Sequence, residues 1–376
     1  MILKELALNL ENIFKNYLSL DWDNSGLIIG RTDKDIKNIF ICLDADWNSI
    51  KKASEKSCDL LLSHHPPYLD SFKKIISEEI KGRFIMEAVR NDISVYCAHT
   101  NFDIMKEGLN DYVFSLTGAK FLKYIITLPE KWYKFIIYSP PDYESKIRET
   151  MKLYGGGRLG KYFGCSFSSR GTGSFVPGEN SRPFIGKKNE LSLVEEVKIE
   201  CIVHQDYLDK LISEVIKIHP YEQPAYDLLE LKNKFTEKGI GIIGKLEDKK
   251  YFKEFLSIIK DNFHLKNFRY LFNDKFMDED SLIEKIAVLN GSANFAANEM
   301  LLEDFDVLIC GEINYHNSIM IVERKKAVIE IGHLESEIFF VDIMKKKIEE
   351  HIKKNNLDLN IFTDNSNILP WRYFIE

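Results

Sequence analysis

The sequence predicts an α/β protein whose core comes in two parts and is interrupted by a ferredoxin-like α+β insertion. Three observations carry this. Up to about residue 126, short apolar runs alternate with amphipathic stretches, the pattern of a sheet with crossover helices. From Gly239 the same texture resumes. Between these segments the chain reads β-α-β twice. The core is therefore expected at 1–126 and 233–376, with the insertion at 127–232.

At 376 residues there is room for two domains, and 45% hydrophobic with 29% charged residues is ordinary for a globular protein. A formal net charge of -7 argues against a surface that coats nucleic acid and favours small molecules or other protein chains as partners. The six cysteines are scattered without a CxxC pair, so reduced thiols in a cytoplasmic protein are expected. The N-terminus lacks a basic region followed by an apolar core. No apolar run reaches the roughly 18 residues of a membrane helix.

The first 17 residues place apolar side chains at helical spacing. A polar turn, DWDNSG, then enters a strand at 27–29, and a second strand at 40–43 ends on Asp44. The third, at 59–63, stops at His64-His65 and is turned by Pro66-Pro67, which lack the amide a ladder needs. Neighbouring side chains in a regular strand face opposite sides, so these histidines can share a cavity only where the chain leaves its pleat. After a helix near 80–89, a strand at 93–98 ends in His99-Thr100-Asn101-Phe102-Asp103. Three successive strands finishing on Asp or His are what a site at the carboxyl edge of a sheet looks like.

The insertion is expected to hold strands at 134–138, 197–204 and 225–231 and helices at 142–154 and 207–218. Its glycine-rich run, GGGRLGKYFG, lacks the Lys and hydroxyl order of a P-loop and reads as loop and hairpin glycines. The returning core has strands at 285–289, 306–310 and 327–331, which end at Asn290-Gly291-Ser292, Gly311-Glu312 and Gly332-His333. A helix at 335–353, a strand at 357–363 and a tail reaching Trp371 follow. Trp22, Phe339, Phe340 and Trp371 are expected in the core, although Trp22 stands where it could border a pocket.

His333 and Glu337 are four residues apart, the spacing that puts two side chains on one helix face. With His64, His65 and Asp103 they supply three imidazoles and two carboxylates, each at a strand end or in the first turn after one. A carboxylate can bridge two cations, and mixed nitrogen and oxygen ligation suits zinc, iron, manganese or cobalt better than calcium or magnesium. Two such ions, roughly 3.5–4 Å apart, activate water for hydrolysis. The same ligands could equally store or deliver metal. His204, His264 and His351 read as surface or packing residues, and His219 as part of a packed turn.

DNSGLIIG, LLSHHPPY, HTNFD, GEINYH and GHLESE together resemble, in order and spacing, the family named for NGG-interacting factor three, also known as type 2 homologues of GTP cyclohydrolase I. The resemblance covers almost the whole chain and implies a toroidal homohexamer with two divalent ions per chain. It makes His64, His65, Asp103, His333 and Glu337 the metal ligands. His99 or His316 would be the general acid or base, with Asn24, Glu312 and Tyr315 as supporting or substrate-contacting residues. Aspartate is commoner in the family where this chain has Glu312. GKYFGCSFSSRGTGSFVP and HPYEQPAYDLL resemble the longer bacterial members, whose PII-like inserts are similar to small trimer-forming signalling and ion-tolerance domains. The activity implied is metal-dependent hydrolysis of a nucleotide or related compound.

Overall fold

The computed structural model describes residues 1–71, 73–233 and 238–364, with Tyr17 described by its backbone alone; Trp371 lies outside the described residues. The chain forms two compact units, Met1–Thr127 with Gly239–Glu376, and Leu128–Lys238. The first unit opens with β1 (Gly26–Ile29), β2 (Asn38–Asp44), β3 (Leu60–His65), β4 (Ser94–Cys97) and β5 (Lys120–Leu128). The second holds β6 (Trp132–Ser139), β7 (Ser166–Phe175), β8 (Ser192–His204) and β9 (Tyr226–Leu231). The chain then returns through β10 (Lys238–Tyr251), β11 (Arg269–Leu271), β12 (Leu282–Ser292), β13 (Val307–Glu312), β14 (Ala327–Glu330) and β15 (Asn360–Thr363).

Two sheets make the first unit, in the orders β1-β4-β3-β2-β15 and β11-β14-β13-β12-β10-β5. In one, β15, β2, β3 and β4 run parallel; in the other, β12, β13 and β14 do. Parallel strands covered on both faces read as unbroken apolar runs, and Leu60, Leu61 and Leu62 are fully buried. Helices Trp47–Glu55 and Ile80–Arg90 supply Ile50, Ala53, Phe84 and Ala88 to the core around Phe40, Leu61 and Val95. The first of them begins with a reciprocal cap: Ser49 N donates to Asp46 Oδ1 at 2.7 Å, and Asp46 N donates to Ser49 Oγ at 2.8 Å. Such a cap is worth about 1 kcal/mol, and it turns the chain immediately after Asp44.

The second unit is a four-stranded antiparallel sheet, β7-β8-β6-β9. Helices Glu144–Leu153 and Gln205–Ile218 bury Ile147, Met151, Leu211 and Val215 with Phe135, Ile137, Val197 and Ile199 of the sheet.

Four details differ from the sequence expectation. β7 runs through the glycine-rich stretch, where Gly171 and Gly173 interrupt the apolar alternation that marks a strand. β5 and most of β10 form strands where none was expected. The helix expected at 335–353 is two, His333–Glu337 and Phe340–Asn355, and the break lets Glu337 and Phe340 both face His64. Trp22 is half-exposed rather than part of the core, whereas Phe340 is fully buried.

Candidate metal centre

The carboxyl ends of β2, β3 and β4 and those of β12, β13 and β14 meet around four imidazoles. β3 stays paired through His65, opposite Asp44 of β2, yet the His64 and His65 rings converge to 5.0 Å. The His99 ring lies 5.2 Å from that of His64, and the His333 ring 5.4 Å from that of His65. His64 is completely buried. Its Nδ1 donates to the Ala98 carbonyl oxygen at 2.9 Å, which leaves the Nε2 lone pair pointing inward.

His65 and His99 are held the same way, by carboxylates. His65 Nδ1 donates to Asp44 Oδ1 and His99 Nδ1 to Asp23 Oδ1, each at 2.7 Å. Asp23 is itself fixed by Thr100 N at 3.0 Å, Ser25 Oγ at 2.8 Å and the Thr100 hydroxyl. Burial opposes its charge, but His99 and these donors hold its carboxyl well below the usual range. An imidazole whose Nδ1 proton is bound to a carboxylate or carbonyl presents Nε2 as a ligand atom.

Glu337 closes the ring of donors. Although 3% exposed, it stays ionised: burial opposes the charge, and His65, His333 and His64 outweigh burial. Oε1 lies 3.8 Å from His64 Nε2, while Oε2 lies 2.9 Å from His65 Nε2 and 3.2 Å from His333 Nε2. Asp103 Oδ1 is 3.7 Å from His64 Nε2 and accepts from Asn290 Nδ2 at 2.9 Å. Burial, with Glu337 nearby, raises the Asp103 carboxyl above its ordinary value. Burial works against charge on His65, but Glu337 and Asp44 push it up to about 10. Glu337 can come this close because Gly291 has no side chain: at φ +60 its Cβ would stand 2.4 Å from Glu337 Oε1.

Two overlapping triads result, His64 with His65 and His99, and His65 with His333 and Glu337, each with ligand atoms within 4.8 Å of one another. The fit to cations rests on what is left over. His64 Nε2 and Glu337 Oε2 are buried and make no hydrogen bond, and the approaches of His65 and His333 to Oε2 lack hydrogen-bond geometry. Buried nitrogens and oxygens that converge without making hydrogen bonds suit a positive ion, which would take the place of any proton held between them. A cavity of about 260 Å³ opens beside the cluster and reaches His65, His99, Asp103, His333 and Glu337.

The family model described as Duf34/NIF3 (NGG1p interacting factor 3) matches residues 1–368. The chain belongs to this family. It is 33% identical over 358 residues to a Bacillus subtilis protein called GTP cyclohydrolase 1 type 2 homolog, covering 94% of both chains. A Halalkalibacterium halodurans protein of the same description is 32% identical over 357 residues, covering 95% of this chain and 94% of its own. Among solved structures, a Bacillus cereus protein related to NIF3 superposes with a TM-score of 0.88 at 27% identity, over 100% of this chain and 99% of that one.

In this DUF34/NIF3 chain the structure brings His64, His65, Asp103, His333, Glu337 and His99 together. Glu312 stands at the rim, with Oε1 3.4 Å from His333 Nδ1. Three other expected residues are elsewhere. His316 and Tyr315 are exposed on helix Tyr315–Val322, whose first turn carries them away from the cluster. Asn24 spends its amide on the Tyr68 carbonyl at 3.0 Å. Sequence reasoning gave no site role to Asp23, Asp44 or Asn290, which orient His99, His65 and Asp103; the available signal was that Asp44 and Asn290 each stand at the end of an apolar strand run. Trp22 does border the cavity, with its ring 6.0 Å from that of His99.

The remaining histidines divide. His219, in the second unit, uses both nitrogens, on Tyr138 O at 3.0 Å and Tyr221 N at 3.1 Å, as a packed turn requires. His204 is buried like a packing residue, but it has carboxylate partners that spacing did not disclose, Asp206 at 3.0 Å and Glu130 at 3.5 Å.

Proposed function

We propose that this protein is a hydrolase dependent on two divalent metal ions, acting on a nucleotide or a related phosphorylated or heterocyclic compound. The observation that carries the reading is the inward-facing set of nitrogen and oxygen atoms around Glu337, with the rings of His64, His65 and His99 anchored from behind. His64, His65, Asp103, His333 and Glu337 would hold the ions, with the two oxygens of Glu337 serving both sides of the cluster. When bound, such ions act as Lewis acids and make water a nucleophile near neutral pH. Asn290 orients Asp103, while Asp44 and Asp23 fix the rings of His65 and His99. His99, at the cavity wall, is the group placed to hold or pass on a proton at its Nε2.

Residues 127–232 would be an inserted ferredoxin-like domain, supported by the strand order β7-β8-β6-β9 and its two helices. The whole would assemble as a homohexamer, and six free cysteines suit a reducing cytoplasm. Among the described residues no helix is long and apolar enough to cross a membrane.

Elemental analysis of protein purified without chelator tests the metal reading. We expect about two ions per chain in the wild type and one or fewer in His65→Ala and Glu337→Gln. A folded wild type that takes up no metal on reconstitution overturns it. Turnover of a defined substrate that Glu337→Gln abolishes supports the hydrolase; transfer of metal to an acceptor without any turnover supports metal delivery.

A further inference from the structure

Relatives carry the name of a GTP cyclohydrolase homolog, yet among the described residues no lysine or arginine lines the cavity beside the cluster to hold a triphosphate. Besides metal ions, phosphate recognition ordinarily uses guanidinium or ammonium groups, a glycine-rich nest or a helix N-terminus. Here the surrounding charge is negative. Asp23, Asp44, Asp103, Glu312 and Glu337 all contact the four imidazoles. Two divalent ions would be set against these carboxylates, so attraction of the loaded site for a polyanion would rest on the ions alone, with no lysine or arginine among the described residues to add to it.

The walls suit a different ligand. Leu20, Trp22, Leu69, Ile104, Leu289 and Phe295 make them largely apolar, and the half-exposed Trp22 and Phe295 bring aromatic rings to the cavity. Its volume of about 260 Å³ lies below the roughly 300–1,000 Å³ of cavities that take drug-sized ligands. One polar group is left wanting. Asn290, 6% exposed, donates from Nδ2 to Asp103, which fixes the amide so that Oδ1 is the free acceptor. That Oδ1 is buried and has no donor. A ring N–H would supply one.

We propose that the site selects a compact, uncharged heterocycle bearing a ring N–H, of nucleobase size, and discriminates against nucleoside triphosphates. This rests on the metal-hydrolase reading and narrows its substrate class. Trp22 would stack on the ring and Asn290 Oδ1 would accept from its N–H.

The test is calorimetric titration of the full-length, metal-reconstituted protein, with metal content measured on the same sample. Guanosine should bind at least about tenfold more tightly than GTP, and uracil at least about tenfold more tightly than 1,3-dimethyluracil, which lacks the N–H. Trp22→Ala should weaken guanosine binding about tenfold and leave metal content unchanged. GTP binding more tightly than guanosine overturns the proposal, as does equal binding of uracil and its dimethyl derivative. With two ions in place, failure of both guanosine and uracil to bind overturns it too. Failure to load metal would instead sink the underlying reading.

Discussion

Asp44 and Asp23 never face the cavity centre, yet each decides which nitrogen of an imidazole is free. Replacing Asp44 by Asn keeps an acceptor for His65 Nδ1 but removes the charge that makes the ring a stronger donor. Metal affinity should therefore fall about 10–100-fold, with the fold retained, as read by competition against a calibrated chelator. The candidate ligands were legible in the sequence because each stands where an apolar run stops, and that punctuation survives without coordinates. Their anchors were not. Asp44 meets His65 only through the register of β2 on β3, and Asp23 reaches His99 across 76 residues of sequence. His316 looked equivalent to His99 as a titratable group near a motif, but a helix beginning at Tyr315 turns it outward.

At the scale of elements, the site depends on how strands end. β12 holds Gly291 in a left-handed conformation one residue before the strand ends, and β14 hands over to helix His333–Glu337 through Gly332, also at positive φ. Gly291→Ala should disturb Glu337 directly, since strain at such a φ costs about 1–3 kcal/mol before any clash. The expected result is a lower melting temperature and fewer than two ions per chain, measured by calorimetry and elemental analysis. Alternating strand and helix made the parallel strands readable, because burial on both faces leaves an unbroken apolar signature. β7 escaped because its glycines and serines carry no such pattern; the strand exists through its long ladder with β8, from Ser166 opposite Cys201 to Phe175 opposite Ser192. The break at 338–339 also escaped, since both helices keep the same apolar period across it.

At the scale of the molecule, the second unit leaves and re-enters the first at neighbouring points: a Cβ on Gly239 would lie 2.3 Å from the Ile126 carbonyl oxygen. Excising 128–238 and joining the ends with a short glycine linker should therefore leave the first unit folded with about two ions per chain, by circular dichroism and elemental analysis. Loss of metal in a folded, excised protein would show that the inserted unit contributes to the site. The same interruption sets a timetable for synthesis. His65 and His333 are more than 260 residues apart, with the whole second unit between them. At roughly 5–20 residues per second the ribosome takes tens of seconds to deliver the second half of the site after the first. A nascent or truncated chain would carry the triad of His64, His65 and His99 but neither His333 nor Glu337, so full occupancy of the site would mark a chain whose synthesis is nearly finished.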